Sequence, residues 1–335
     1  MSLDKTIWDE EVPVPLSTIS YVDGGILKKL PPGTTTGLIT PSGASYWART
    51  AHIEATNVHQ GEHGKNMVAS EFHAMSELYK VMPEMVALPV GWGSYENVAD
   101  THFFVCKFHE MSHDIPDCRD FPAMLAEMHK RGVSPNGKFG FLIGTFAGNS
   151  SQIFPVSDTW EECFTHGLKH VFANEVATHG IDEEFEMLKK SVVEKVIPRL
   201  LRPLETGGRS ITPRLVHGDL WDGNASVDVV TGKPMIFDGT PLYAHNEYEM
   251  APWRASRHKM TKAYIDEYTK HFQVSEPAEE FDDRGDLYCL RFDTMSSSLY
   301  PGNLRFHEIA KETMRKLVAK YEEGYEGYAA RHGLT

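Results

Sequence analysis

The stretch HGDLWDGN at residues 217–224, followed by MIFDG at residues 235–239, decides the fold of this chain. Asp219 lies five positions before Asn224, and Asp238 ends a short apolar run fourteen positions after Asn224. Phosphoryl transfer from ATP needs a carboxylate that accepts the proton of the attacking hydroxyl, and side-chain oxygens that hold Mg²⁺ on the phosphates. The pattern therefore predicts Asp219 as the catalytic base and Asn224 and Asp238 as metal ligands. A polar hairpin in which these residues only form turns would carry the same letters.

Two positions depart from the usual protein-kinase motifs, H-R-D and D-F-G. Gly218 stands in place of the Arg, and Gly239 stands in place of the Phe. The Arg is the usual partner of a phosphorylated activation loop, so its absence favours a kinase of the small-molecule type.

Composition excludes several functional classes. The chain has 335 residues and a formal net charge of −14, which argues against a nucleic-acid or anionic-membrane binder. No apolar run approaches the roughly 20 residues that span a bilayer. The four cysteines are scattered without a C-x-x-C pair, and the first residues lack the layout of a secretory signal. We expect a cytoplasmic, monomeric protein with reduced cysteines.

The nucleotide-binding part is predicted to begin with two strands joined by a turn of small residues. The turn contains Ser42, Gly43 and Ala44, and strand-like alternation resumes over residues 46–53. A kinase covers the nucleotide phosphates with backbone N–H groups in this arrangement, so these three residues are predicted cofactor contacts. An ordinary hairpin turn would look the same.

An amphipathic helix is predicted over residues 66–81, because apolar residues recur there at spacings of three and four. Glu71 lies within it, where a kinase keeps the acid that pairs with its phosphate-binding Lys. A solvated helix carboxylate is the alternative for Glu71.

A buried central strand is predicted over residues 102–108, after an earlier strand at residues 86–93. The central strand leads into a polar segment that resembles the hinge of a kinase. Phe108, Glu110 and Met111 are therefore predicted to contact the nucleotide, with the hinge backbone facing adenine.

Beyond the hinge the periodicity is helical. Helices are predicted over residues 121–129, 160–172, 185–197 (ended by Pro198), 259–272 and 306–321. Strands first and helices later indicate an α+β fold with two lobes, a small mainly β N-lobe and a larger mainly α C-lobe. We predict an N-terminal arm at 1–36, an N-lobe and hinge at 37–111, and a C-lobe at 112–335.

The stretch at 217–224 resembles the signature of the fructosamine/ketosamine-3-kinase family, and the likeness to its fungal members covers most of residues 38–325. The other segments that carry it are residues 61–64 with Met67, 71–72, 89–93, 100–104, 125–129, 134–141, 243–254 and 282–284. The resemblance implies a protein-kinase-like fold related to aminoglycoside phosphotransferases. It implies ATP- and Mg²⁺-dependent phosphorylation of the sugar 3-hydroxyl of ketosamines, as ribulosamine or fructosamine adducts on proteins or as small ketosamines. Such phosphorylation frees the amine and repairs glycated protein. Trp221 and His217 would lie on the sugar side.

The chain departs from this family in the nucleotide-binding part. Family members carry a strand lysine before the segment at 61–64, whereas residues 53–60 here contain no Lys, and Arg49 and Lys65 are the nearest cations. Losing a charge-assisted phosphate contact would weaken ATP turnover. Three functions therefore remain open: an active ketosamine kinase, a pseudokinase that binds nucleotide or glycated protein, and a small-molecule kinase of the aminoglycoside or choline type.

Overall fold

The structure is a computed structural model that describes residues 21–22, 25–26, 36–39, 45–52, 60–94, 101–107, 109–112 and 114–334. The strands are β1 (Tyr21–Val22), β2 (Gly25–Ile26), β3 (Thr36–Ile39), β4 (Ser45–His52), β5 (Pro89–Ser94), β6 (Thr101–Lys107), β7 (Thr145–Ala147), β8 (Ser150–Gln152), β9 (Arg214–Val216), β10 (Ala225–Val227), β11 (Pro234–Ile236) and β12 (Leu242–Ala244). The helices are α1 (Gln60–Val81), α2 (Asp120–Arg131), α3 (Trp160–His179), α4 (Glu183–Ser191), α5 (Ile197–Leu201), α6 (Lys262–His271), α7 (Phe281–Leu299), α8 (Arg305–Lys320) and α9 (Gly324–His332).

The chain divides into two compact units. The first contains Met1–Pro116 and Gly223–Thr240, and the second contains Asp117–Asp222 and Pro241–Thr335. The hairpin of β10 and β11 thus belongs with the first unit, although it lies beyond the boundary that we predicted at residue 111. Our domain boundaries remain predictions.

A four-stranded antiparallel sheet in the order β3-β4-β6-β5 forms the frame of the first unit. Helix α1 packs against this sheet and begins earlier than the predicted residue 66. Met75 and Leu78, two of the apolar residues whose spacing predicted the helix, are almost completely buried, and so is Ala74. The ring of Phe72 meets that of Phe104 on β6 edge to face, with 6.3 Å between centroids.

The hairpin of β10 and β11 is hydrogen-bonded to the rest of the first unit. The Ile236 N–H donates to the Met85 carbonyl at 2.8 Å, so β11 is hydrogen-bonded to Met85 as well as to β10. Met85 and Ile236 are buried with Met235. These contacts explain why a segment far along the sequence joins the first unit.

The second unit is mainly helical, with an apolar core built by α3, α5, α7 and α8. Trp160 at the start of α3 is fully buried, and its indole N–H donates to the Tyr288 hydroxyl on α7 at 2.9 Å. Thr159 caps α3 by accepting the Glu162 N–H at 3.2 Å, which fixes where the helix begins. The predicted helices over 121–129, 160–172, 259–272 and 306–321 correspond to α2, α3, α6 and α8.

The predicted end of a helix at Pro198 is wrong. After α4 the chain forms a π-helical turn at Val192–Val196 and continues into α5, with Pro198 in its first turn. Pro lacks an N–H, and the first turn of a helix is where that N–H has no partner to lose. Pro198 therefore lies within a continuous helical stretch, where the hydrogen-bonding pattern changes, and does not end it.

Two helices carry no prediction from the sequence, α7 and α9. Helix α7 buries charged residues together with apolar ones, among them Asp283, Arg284, Arg291 and Asp293. Charges on the buried face interrupt the apolar stripe by which an amphipathic helix is identified. No helix in the described ranges is long and apolar enough to cross a bilayer.

A buried ion pair links α7 to the 3₁₀ helix at Asn246–Arg254. Arg284 donates its Nε and Nη2 to the two carboxylate oxygens of Glu247, at 2.8 and 3.0 Å. Both side chains are almost completely buried. Arg284 also donates to the carbonyls of Pro277 and Ser275, so its removal would leave several acceptors and one charge without a partner.

We predict that Arg284→Met lowers the free energy of unfolding by about 3–5 kcal/mol, because Glu247 would stay buried without its counter-ion. Urea unfolding followed by circular dichroism measures this change. Arg331→Met is the matched control, since Arg331 pairs with Glu323 on the surface and such pairs contribute about 1 kcal/mol or less. Equal losses in the two variants would contradict the prediction.

Candidate active site

The predicted catalytic loop follows β9 in the second unit. Strand β9 pairs antiparallel with β12, with Val216 opposite Leu242, and both residues are buried. The chain then turns at Gly218, whose φ of 82° lies in the left-handed region that favours glycine. The strand thus delivers Asp219 onto a tight turn at its end.

A buried carboxylate, Glu249, holds the backbone of this turn. Its two oxygens accept the N–H groups of His217 and Gly218, the latter at 2.9 Å. The Glu249 side chain has no exposed surface, and neither has that of His129, whose Nε2 lies 3.4 Å from it. Burial of a carboxylate destabilises the folded state unless the carboxylate is hydrogen-bonded. These contacts therefore hold both the backbone of the turn and the side chain of His129 in place.

The support continues into α6 through a chain of hydrogen bonds. Asn246 donates its amide N–H to the Tyr268 hydroxyl at 3.0 Å, and that hydroxyl lies 2.7 Å from His129 Nδ1. Burial raises the pKa of Tyr268 well above its ordinary value, so the hydroxyl keeps its proton. Because a carboxylate only accepts, the Nε2–H of His129 donates to Glu249 at 3.4 Å.

The residues around Asp219 differ in exposure. His217 is fully buried, and its Nδ1 accepts the Asp219 N–H at 3.4 Å, which places His217 in the support of the loop rather than on its surface. The side chain of Asp219 is partly exposed. Trp221 is 36% exposed. The intervening Leu220 carbonyl accepts the indole N–H of Trp253 at 2.9 Å, so both ends of the loop are anchored.

The two predicted metal ligands lie together in the first unit. The Phe237 N–H donates to the Asn224 carbonyl at 3.1 Å, one step beyond the pairing of Ala225 with Ile236. Asn224 and Asp238 therefore lie at the same end of the hairpin. Asp238 has a φ of 59°, and it is the one non-glycine residue with positive φ in the described ranges. Such a conformation is uncommon outside glycine and clusters at functional sites.

A cavity of about 550 Å³, counting space open to solvent, lies within the first unit. Its lining brings together three of the predicted residues, Glu71, Met111 and Asp238, with an apolar wall of Met75, Ala87, Phe104, Cys106, Met235, Ile236 and Phe237, and with Lys107 and His109. Apolar walls with a few polar groups are typical of ligand sites. Asp238 lines the cavity, and Asn224 lies at the same end of the hairpin as Asp238. Carboxylate and amide oxygens suit a hard cation such as Mg²⁺.

The hinge backbone is oriented by the hairpin. The Glu110 carbonyl accepts the Val229 N–H at 2.8 Å, and the Ser112 N–H donates to the Val227 carbonyl at 2.9 Å. In extended chain, successive residues direct their backbone groups to opposite sides. The N–H and carbonyl of Met111 therefore point away from the hairpin. Glu110 is exposed and is not part of the cavity lining.

A side-chain pair strengthens this contact between hinge and hairpin. His109 Nδ1 lies 2.6 Å from the Asp228 carboxylate, whose other oxygen accepts the N–H and hydroxyl of Thr231. Burial alone would raise the pKa of Asp228, but the hydrogen bonds from His109 and Thr231 hold it at about 2. Asp228 thus fixes the turn of the hairpin and the position of the hinge together.

Some of the predicted contacts lie outside the described residues, namely Ser42, Gly43, Ala44 and Phe108. Strand β4 pairs directly with β6 from Tyr46 opposite Lys107 to His52 opposite Thr101. Residues 53–59, where the sequence lacks the expected lysine, lie outside the described residues. Lys65 is exposed on α1.

Sequence reasoning assigned no role to Glu249 or to Asp228. A second acid, Glu247, stands two positions before Glu249, but Glu249 itself lies between a tyrosine and a methionine, which is the one sequence signal of a buried carboxylate. Its partners lie more than 30 positions away, so the signal gives no indication of what it binds. Asp228 precedes the turn at Gly232 and could have been identified as a turn residue.

Comparison with known proteins gives matches over most of the chain. The model of the fructosamine kinase family matches residues 54–320. A protein-ribulosamine 3-kinase from Oryza sativa subsp. japonica, described as chloroplastic, is 28% identical over 238 residues, which are 69% of this chain and 63% of the relative. Ketosamine-3-kinase from Mus musculus is 35% identical over 114 residues, 34% of each chain. The chain thus spans less than two thirds of the length of the curated relatives it matches.

Solved structures show the fold. A candidate fructosamine-3-kinase from Thermobifida fusca has a TM-score of 0.64 at 16% identity, with 85% of this chain and 89% of that chain covered. Aminoglycoside phosphotransferase APH(4)-Ia, in a ternary complex with AMP-PNP and hygromycin B, has a TM-score of 0.53 at 14% identity and coverages of 90% and 94%. These similarities confirm the predicted protein-kinase-like α+β fold. Because the family model matches more than half of the sequence, the chain belongs to the fructosamine kinase family.

Proposed function

We propose that this chain is an ATP-dependent kinase that phosphorylates the sugar 3-hydroxyl of ketosamines, as ribulosamine or fructosamine adducts on proteins or as small ketosamines. The observation that carries the proposal is the family match over residues 54–320, which includes the complete set of Asp219, Asn224 and Asp238. The names of the rice and mouse relatives support the 3-hydroxyl of a ketosamine as the acceptor. The product would release the amine, which is a deglycation repair activity.

The cavity of the first unit is the proposed nucleotide site. The backbone N–H and carbonyl of Met111 would pair with adenine, since they point away from the hairpin. The neighbouring Glu110 carbonyl and Ser112 N–H are already hydrogen-bonded to that hairpin. Asn224 and Asp238 would hold Mg²⁺, which neutralises charge on the phosphates when bound. The apolar wall, with Ala87 and Ile236, suits the faces of a flat base.

Asp219 is the proposed base of the second unit. It would accept the proton of the acceptor hydroxyl while the hydroxyl oxygen forms a bond to the γ-phosphorus, and the bond between that phosphorus and the bridging oxygen of ADP breaks. Because Glu249 holds the backbone just before Asp219 and Trp253 holds the Leu220 carbonyl just after it, the carboxylate of Asp219 needs little reorganisation before the step. Trp221 would face the sugar.

Several expectations from the sequence stay predictions. They are a cytoplasmic location, a monomeric state, nucleotide contacts by Ser42, Gly43, Ala44, Glu71, Phe108 and Glu110, and no binding of nucleic acid or membrane.

The experiment that tests the proposed function is an assay of phosphate transfer from Mg-ATP to ribulosyl-lysine and fructosyl-lysine, with the phosphorylated position mapped by NMR. We predict product phosphorylated on the 3-hydroxyl. Asp219→Asn should lower the rate by about 10²–10⁴-fold, the usual range for loss of a positioned general base, without loss of fold. Asp266→Asn on the exposed face of α6 is the matched control. Phosphorylation at an unchanged rate in Asp219→Asn would remove this residue from the mechanism.

The proposed metal site predicts a change in nucleotide binding. Asp238→Ala should remove most of the Mg²⁺ dependence of ATP affinity, because a hard cation loses an anionic oxygen ligand. Asn224→Ala should act in the same direction and less strongly, since an amide oxygen is neutral. Calorimetric titration with and without Mg²⁺ measures both effects, with the exposed Asp114→Ala as control. The same Mg²⁺ dependence in Asp238→Ala and the unmodified chain would make Asp238 a turn residue only.

A further inference from the structure

Strand β6 of the first unit has one face toward the proposed nucleotide cavity. Phe104 and Cys106, two positions apart on β6, both line that cavity. Helix α1 packs on the same face, since the ring of Phe72 meets that of Phe104 edge to face. Phe72 directly follows Glu71, which also lines the cavity. We call this side of the sheet the cavity face.

The register of β4 places Arg49 on the cavity face. In an antiparallel pair, residues directly opposite each other lie on the same face of the sheet, and so does every second residue along a strand. Arg49 is opposite Phe104, and Trp47 is opposite Cys106. Of the three positions that β4 places on this face, 47, 49 and 51, Arg49 is the one with a permanent charge. The strand next to β6 therefore carries a cation opposite the residue that contacts α1.

Lys107 also lines the cavity, but its position in the sheet differs from that of Arg49. It is opposite Tyr46, so it lies on the other face of the sheet from Phe104. Lys107 ends β6, four positions before Met111, where adenine is proposed to bind. Phe104, and with it Arg49, lies three residues further from the hinge, which is about 10 Å along a strand. Lys107 is thus at the adenine end, and Arg49 is beyond it.

The charges of the cavity indicate what Arg49 could do there. Two acids, Glu71 and Asp238, line the cavity. Each phosphate of ATP adds negative charge, and Mg²⁺ held by Asn224 and Asp238 would neutralise only part of it. A guanidinium has five N–H donors in a fixed fork, so it can bind carboxylate and phosphate oxygens together.

We propose that Arg49 binds the phosphates of ATP and pairs with Glu71, in place of the strand lysine that residues 53–60 lack. The proposal rests on the proposed function and deepens it, because it assigns the cation of the proposed nucleotide site. Strand β4 pairs with β6 over its whole length from Tyr46 to His52. A residue of β4 can therefore supply the charge, although it comes from an earlier segment of the chain than the lysine of the family.

The test is the affinity of the full chain for ATP, ADP and adenosine in the presence of Mg²⁺, measured by calorimetry. We expect Arg49→Met to weaken ATP and ADP by about tenfold or more, as for a lost hydrogen bond to a charged group. Adenosine, which has no phosphate, should change by less than about threefold. Arg49→Lys keeps the charge without the fork, so it should retain more of the ATP affinity than Arg49→Met.

Lys65→Met is the matched control, since Lys65 is an exposed cation of α1 in the same unit. Its affinity for ATP should equal that of the unmodified chain. Equal ATP affinity in Arg49→Met and the unmodified chain would overturn the proposal. A loss of adenosine affinity as large as the loss of ATP affinity would overturn it as well, because the effect would then not depend on phosphate.

A double-mutant cycle with Glu71→Gln tests the pairing of the two side chains. If Arg49 pairs with Glu71, Glu71→Gln should weaken ATP in the chain that keeps Arg49, because the guanidinium loses the carboxylate that holds it. In the Arg49→Met background the same change should alter ATP affinity by less than about twofold. Equal effects of Glu71→Gln in both backgrounds would show that the side chains act independently and would contradict the pairing.

The outcomes separate this inference from the proposed function. If ketosamines are phosphorylated and Arg49→Met binds ATP as tightly as the unmodified chain, the role of Arg49 is wrong and the kinase activity stands. If the unmodified chain binds ATP but phosphorylates no ketosamine, the proposed function fails, and the nucleotide affinities still decide the role of Arg49. If the unmodified chain binds no ATP, both proposals fail.

Discussion

The proposed catalytic loop of this protein depends on one buried carboxylate. Glu249 accepts the N–H groups of His217 and Gly218, and His129 meets the same carboxylate from α2. Leu220 anchors the later part of the loop, whereas Gly218, which precedes Asp219, is conformationally permissive. The hydrogen bonds to Glu249 therefore select one conformation, and the position of Asp219 follows from it.

A comparable constraint acts in the first unit, where hydrogen bonds to the hairpin orient the hinge. Asp228 holds His109 and the turn of the hairpin at once, and the backbone of Glu110 is bonded to the same segment. Among the described hinge residues, Met111 is the one whose backbone N–H and carbonyl point away from the hairpin. In both units, acidic side chains outside the predicted motif fix the backbone of the residues that would contact substrates.

Local signals account for what could be predicted from the sequence. The α1 helix, the strands around residue 105 and the loop at 217–224 have periodicity or spacing that one segment displays by itself. The roles of Glu249 and Arg284 could not be predicted in this way, since each contacts residues about 30 or more positions away. Helix α7 was missed for a related reason, because its buried charges are satisfied by partners on other elements and interrupt the apolar pattern.

The kinetics of Glu249→Gln test the account most directly. Glutamine has the size of glutamate, but its amide NH₂ would face a backbone N–H of the loop in place of an accepting oxygen. We predict that kcat falls by about 10–100-fold, as expected for the loss of a charged hydrogen bond of about 1.5–3 kcal/mol. The affinity for ATP should stay unchanged, because the proposed nucleotide cavity is formed within the first unit. Glu267→Gln on α6 is the matched control. A folded Glu249→Gln variant with unchanged kcat would contradict the account.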